Sequence, residues 1–158
     1  NYVNIMMNQY LLSKNLKICV AMRSDNHLDD EMKYWQSIFG DKAVLIPNDI
    51  INLSSFKAVQ QSSLVIGVAS TLVLESFGMG KKVLYCDFTN SNKYVDYDSS
   101  IVFRKNNYNA FSSRLDELLK YPYDKYISKN NKYAKYLMNT DIQNLPHRKI
   151  RKLVENSL

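Results

Sequence analysis

Apolar residues recur near the start of the chain at Val3, Met6, Met7, Tyr10 and Leu11, a spacing that predicts an amphipathic helix ending near Asn15. The pattern then shortens. "LKICVAMRS" from Leu16 is a continuous apolar strand, and "DDEMKYWQSIFG" reads as a helix with acids in its first turn and Gly40 as its stop. "KAVLIP" is a second strand closed by Pro47, and in "NLSSFKAVQQS" Ser54 or Ser55 is placed to cap a short helix. A third strand "LVIG", a helix "TLVLESFGMG", a fourth strand "KVLYCDF", a short fifth strand "SIVFR" and a helix "YNAFSSRLDELLKY" follow in turn. Beyond Pro122 the chain reads as helical to about Leu137, and a last helix is expected from Pro146, a residue suited to a first helical position.

Strands that alternate with helices and carry unbroken apolar runs predict a parallel sheet covered on both faces. With right-handed crossovers this becomes an α/β, Rossmann-like, doubly wound sheet of about five strands with C-terminal helices. The expected division is a Rossmann-like body over residues 1–121 and a helical tail over 122–158. At 158 residues the chain is long enough for one proper core, and 46% hydrophobic with 23% charged residues is an ordinary globular balance. No apolar run approaches the length of a bilayer span. The opening "NYVNIMMNQYLL" has no basic leader region and no initiating methionine, and is read as a cut inside a longer protein.

Charge changes the picture only at one end. Of 21 basic and 15 acidic residues, 9 and 3 fall in residues 120–158, leaving 12 of each before them. The body is thus no nucleic-acid-binding surface, and the basic tail either packs, is solvated, or lies near anionic lipid. Cys19 and Cys86 sit in apolar strands and are expected to be buried free thiols, consistent with a reducing, cytoplasmic compartment. His27 and His147 are far from each other and from both cysteines, so no metal site is expected.

The candidate chemistry lies in "SSLVIGVASTLVLESFGMGKKVLY", residues 62–85. Gly67 and Ala69 are small enough for close backbone approach at the carboxyl end of a strand, where ligands of open parallel sheets bind. Ser70 and Thr71 open the following helix, whose first amides lack intrahelical partners and attract an anion such as phosphate. Glu75 shares the face of Thr71 one turn on, placed to accept hydrogen bonds from sugar hydroxyls. Phosphate at the corner with a diol beside it describes a nucleotide. The plainer alternative is an ordinary N-cap followed by an exposed acid.

The same run resembles the nucleotide-sugar-binding signature in the C-terminal half of GT-B glycosyltransferases, and is most similar to bacterial surface-carbohydrate and capsule transferases. "NDIINLSSFKAVQQS", "IVFRKNNYNAFSSRLDELL" and "YISKNNKYAKYLM" extend the similarity over most of the chain. The resemblance implies that Ser70 and Thr71 hold the donor's phosphate and Glu75 a ribose or sugar hydroxyl. It implies that Ile46 and Pro47 border the base, that Cys86, Asp87 and Phe88 lie near the transferred sugar, and that Arg23 faces a phosphate. For Arg23 and Asp87 the alternative is a loop charge with a local partner. Relatives using CMP-activated acidic sugars carry a His-Pro pair where this chain reads "RSDNH".

The reaction so implied is sugar transfer from a nucleotide donor to a surface glycan, without a metal or other cofactor, the departing phosphate being held by helix amides and basic side chains. Acceptor and catalytic base would lie in an N-terminal Rossmann-like half, so no catalytic residue is assigned in this chain. The implied setting is cytoplasmic, with peripheral contact at the inner face of the membrane as one role for the tail, and packing on the N-terminal half as the other. Two rival functions remain. A nucleotide-sugar epimerase or hydrolase would need Asp25, His27 or Asp87 as acid/base groups. A binding module without chemistry would take no nucleotide at all.

Overall fold

Helices and strands alternate from α1 to β4, and the five strands of the described residues divide between two parallel sheets. The computed structural model describes residues 2–23, 27–88, 101–137 and 146–156. In chain order the elements are α1 (Tyr2–Lys14), β1 (Ile18–Ala21), α2 (Leu28–Phe39), β2 (Ala43–Ile46), α3 (Ser54–Gln61), β3 (Val65–Val68), α4 (Thr71–Gly78), β4 (Val83–Cys86), β5 (Val102–Phe103), α5 (Tyr108–Lys120), α6 (Tyr123–Leu137) and α7 (Pro146–Glu155). Two units are distinguished, one of Asn1–Ser63 with Lys105–Lys120, the other of Leu64–Arg104 with Tyr121–Leu158.

In the first unit α1 buries the predicted stripe of Val3, Met6, Met7, Tyr10 and Leu11. It stops at Asn15, whose left-handed φ of 51° lets the Leu16 amide donate to the Leu11 carbonyl at 3.0 Å. Helix α1 is tied to α5 through Asp116, which accepts from the Tyr10 hydroxyl at 2.7 Å and from Lys14 Nζ at 2.8 Å. Burial and the bond to Asp116 push the Tyr10 phenol well above its ordinary pKa, while the bonds from Lys14 and Tyr10 hold the Asp116 carboxyl below its own.

Strands β1 and β2 pair in parallel with Ile18 opposite Ala43 and Ala21 opposite Ile46. Cys19 and its register partner Val44 are both exposed, so the expected burial holds for Cys86 and not for Cys19. Alternation along a strand sends Cys19 to the opposite face from buried Val20. Ser54 departs from expectation as well. The position before α3 is Leu53, in a left-handed conformation, and no side chain caps the helix. The Ser54 hydroxyl instead turns back into the preceding loop, donating to the Pro47 carbonyl at 2.6 Å and accepting from the Asp49 amide at 3.0 Å.

The second unit holds a parallel sheet of order β3-β4-β5, with Val68 opposite Cys86 and Cys86 opposite Phe103. All four β4 residues are buried, as a central strand covered on both faces requires, whereas β3 is only half-buried. Burial pushes the Cys86 thiol up to about 12. Helix α4 ends in a tight reversal. Gly80 at φ 80° lets Lys81 N–H reach the Ser76 carbonyl at 2.9 Å, while its own amide donates to Phe77 at 3.0 Å. Helix α6 packs on α4, with Tyr126 edge-on to Phe77.

A single sheet of five strands is therefore corrected to sheets of two and three. The alternation of strand and helix accounts for the parallel pairing of β1 with β2 and of β3 with β4. It carries no information about which strand lies beside which.

Candidate functional site

The corner at residues 67–71 is built by a close approach of strand and helix. A Cβ placed on Gly67 would lie 2.5 Å from Val73 Cγ2, so only glycine lets the first turn of α4 sit this near β3. Ala69 then turns the chain with a left-handed φ of 47°, a conformation that a non-glycine residue adopts only at some cost. Ser70 follows in extended conformation at the N-cap position. Its hydroxyl makes no capping bond, although serine at this position ordinarily does. Val73 N–H donates to the Ser70 carbonyl at 3.3 Å, while the amides of Thr71 and Leu72 stand at the open end of the helix.

Ala69 and Thr71 are exposed, and Ser70 and Glu75 are half-buried. Among the described residues none donates a side-chain hydrogen bond to the Glu75 carboxylate or pairs with it. The arrangement thus brings together two hydroxyls and helix-terminal amides with no partner among the described residues, and a carboxylate one turn away, all at the carboxyl end of β3.

Sheet register places two further charged residues on the same edge. Since Val68, Cys86 and Phe103 lie opposite one another, Ala69, Asp87 and Arg104 are the next residues of their respective strands. Asp87 continues the ladder, its amide donating to the Phe103 carbonyl at 2.9 Å. Its side chain is largely buried and lies against Arg104, with Oδ2 at 3.6 Å from Nε. Asp87 is thus no loop-surface charge. Phe88 stacks edge-on against Phe103 at a ring separation of 6.3 Å. Arg104 was not among the residues expected from sequence. The signal was present in "IVFR", where a basic residue directly follows a strand as Arg23 follows "CVAM".

The remaining candidates belong to the first unit. Arg23, Ile46 and Pro47 lie at the carboxyl edge of the two-stranded sheet, where the Met22 amide donates to the Ile46 carbonyl at 2.9 Å. The Arg23 side chain is exposed, while its amide is held by both carboxylate oxygens of Glu31 at 3.1 and 3.0 Å. Glu31 also accepts from Trp35 Nε1 at 3.2 Å, which ties the end of β1 to α2. Ile46 is half-buried and Pro47 exposed. Behind them Asp49 organises the loop, accepting from the Asn52 amide at 2.8 Å and side chain at 2.7 Å, bonds that lower its carboxyl pKa.

The predicted site residues thus form two sets, each at the carboxyl edge of its own sheet. Gly67, Ala69, Ser70, Thr71, Glu75 and Asp87 share one; Arg23, Ile46 and Pro47 share the other. Of the acid/base candidates of the rival enzyme reading, His27 is exposed at the start of α2 and Asp25 lies outside the described residues. Among the described residues no group of three or more His, Cys, Asp or Glu side chains is placed to hold a metal ion.

Compared with known proteins, residues 3–152 match a family model whose description is "putative O-antigen biosynthesis protein". No curated protein matches the chain.

Proposed function

The chain belongs to this family of O-antigen biosynthesis proteins, and from that premise we propose that it is the donor-binding part of a glycosyltransferase that moves a sugar from a nucleotide to a surface glycan. The observation that carries the reading is the corner at the end of β3. A left-handed Ala69 turns the chain into α4, the Ser70 hydroxyl at the N-cap is unused in capping, and Thr71 at the first helical position is exposed. An anion is the ligand such a helix end prefers.

In this reading the Thr71 and Leu72 amides and the two hydroxyls hold the phosphate next to the sugar. As the bond from sugar to phosphate breaks, negative charge grows on the departing nucleotide, and donors fixed in advance stabilise it without reorganising. Arg104, paired with Asp87 on the same sheet edge, supplies guanidinium N–H donors on that side rather than net charge. Glu75 accepts hydrogen bonds from a hydroxyl pair of the ribose or sugar. Acceptor and general base are supplied by a second Rossmann-like half, so this chain alone binds donor and turns over none. The epimerase and hydrolase alternative is disfavoured because the Asp87 carboxylate is engaged with Arg104.

Calorimetric titration with UDP, GDP, CMP and inorganic pyrophosphate tests the reading. One of the nucleotides is expected to bind. S70A and T71V should each weaken it by about 10-fold or more, since a hydrogen bond to a charged group is worth about 1.5–3 kcal/mol. E75Q should weaken the nucleotide but leave pyrophosphate unchanged, because it touches only the sugar side. S70A should fold normally, as no capping bond is lost. Absence of binding to any nucleotide, or binding indifferent to all three substitutions, refutes the proposal.

A further inference from the structure

The last helix does not behave as a core element. Ile150, Leu153 and Val154 of α7 recur at i, i+3 and i+4 on one side of the helix, yet they are 61%, 68% and 55% exposed. Arg151, Lys152 and Glu155 are exposed too, and the one ion pair of α7 among the described residues, Arg151 to Glu155 at 3.8 Å, is open to solvent. Within "PHRKIRKLVE" four arginines and lysines accompany a single acid. Residues 120–158 as a whole hold 9 basic and 3 acidic residues, against an even balance in the rest of the chain.

We propose that α7 docks on an anionic lipid surface, lying in the plane of the interface with Ile150, Leu153 and Val154 dipped among the acyl chains. Charge decides the occupant. Three apolar side chains alone would suit a groove on another protein, but a positive excess confined to this end of the chain complements a negatively charged membrane face. Length decides the orientation. Ten helical residues extend about 15 Å, half of a hydrocarbon core of about 30 Å, so α7 lies on a bilayer and does not span it. No helix among the described residues is long and apolar enough to cross a membrane. The inference is independent of the nucleotide site, which belongs to other elements.

Co-sedimentation of the full chain with vesicles tests it, using phosphatidylcholine alone and phosphatidylcholine with about a third phosphatidylglycerol, the anionic fraction being chosen to give a negative surface potential. The chain is expected to bind the anionic vesicles, more weakly as salt is raised, and not the neutral ones. Each basic residue near such a surface contributes roughly fivefold in affinity; Arg151 flanks the apolar stripe and Lys152 lies on the opposite side of the helix, so R151Q/K152Q should bind at least about fivefold more weakly. I150S/L153S should lose at least about 10-fold through the missing apolar insertion. Both pairs are exposed, so thermal melts and nucleotide titrations should match the unsubstituted chain. The proposal is overturned by equal binding to neutral vesicles, by no binding to anionic ones, or by variants that bind unchanged. Self-association abolished by I150S/L153S in a chain that ignores vesicles also overturns it, in favour of a protein contact.

Discussion

Replacing Gly67 by alanine separates two opposing effects whose signs differ. Gly67 is not in a left-handed conformation, so the backbone accepts alanine. On chain entropy alone the substitution should stabilise by about 0.4–1 kcal/mol. Against this stands the new Cβ, which would lie 2.5 Å from Cγ2 of Val73, a branched side chain 2% exposed and unable to swing aside. Overpacking of this kind costs about 1–3 kcal/mol, so the net effect should be destabilising, by up to about 2.5 kcal/mol. For a chain of this size each kcal/mol lowers Tm by about 2–4 °C. Removing the obstruction tests the cause. The Val73 Cβ would stand 4.0 Å from the added carbon, so V73A clears the clash and G67A partly fills the space it leaves. The double variant G67A/V73A should therefore be less destabilised than the two single variants combined, by about 1 kcal/mol or more. Urea unfolding at constant m-value supplies the four stabilities. A G67A chain more stable than the original, or strict additivity in the cycle, would refute the close approach of β3 and α4 on which the corner depends.

Two further perturbations test contacts inside each unit. Tyr85 and Asp87 donate their amides to the Ile101 and Phe103 carbonyls, both at 2.9 Å; the Val83 amide is met by the buried Tyr126 hydroxyl, which accepts from it at 3.0 Å and donates to the Val83 carbonyl at 3.2 Å. Y126F should cost about 1–3 kcal/mol in urea unfolding by leaving that buried amide unsatisfied, and a change below a few tenths would contradict it. Asp116 supplies the pH dependence. Its folded-state pKa is depressed by Lys14 and Tyr10, so its contribution is complete above the unfolded value of about 3.9 and lost as pH falls below that through the folded value. Melting curves should show D116N less stable than the original chain near neutrality, with the gap closing under acid; a gap that widens in acid reverses the sign of the argument.

Much of the candidate corner was legible because its cause is local. The change from an apolar run to Gly67, then small and hydroxyl residues, then a helical period marks a strand-to-helix turn without reference to the rest of the chain. The buried stripe of α1 and the start of α7 at Pro146 are legible for the same reason. Ser54 was not, because a helix-capping serine and one that folds back onto Pro47 look alike in sequence; the left-handed Leu53 decides between them. Cys19 was misplaced because an apolar strand reads the same whether one or both of its faces are covered.

What the sequence determined by itself is therefore everything set within a few residues: where elements begin and stop, that strands separated by helices run parallel, and that hydroxyls meet the open end of α4. What only the tertiary structure decided is everything set by register between distant segments. Arg104 and Asp87 join the edge that carries Ser70 because β5 lies beside β4, and the five strands fall into sheets of two and three because their edges pair that way. Periodicity records which side of an element is apolar, whereas lateral neighbours are chosen by packing among residues far apart in the chain, and no single stretch encodes that choice.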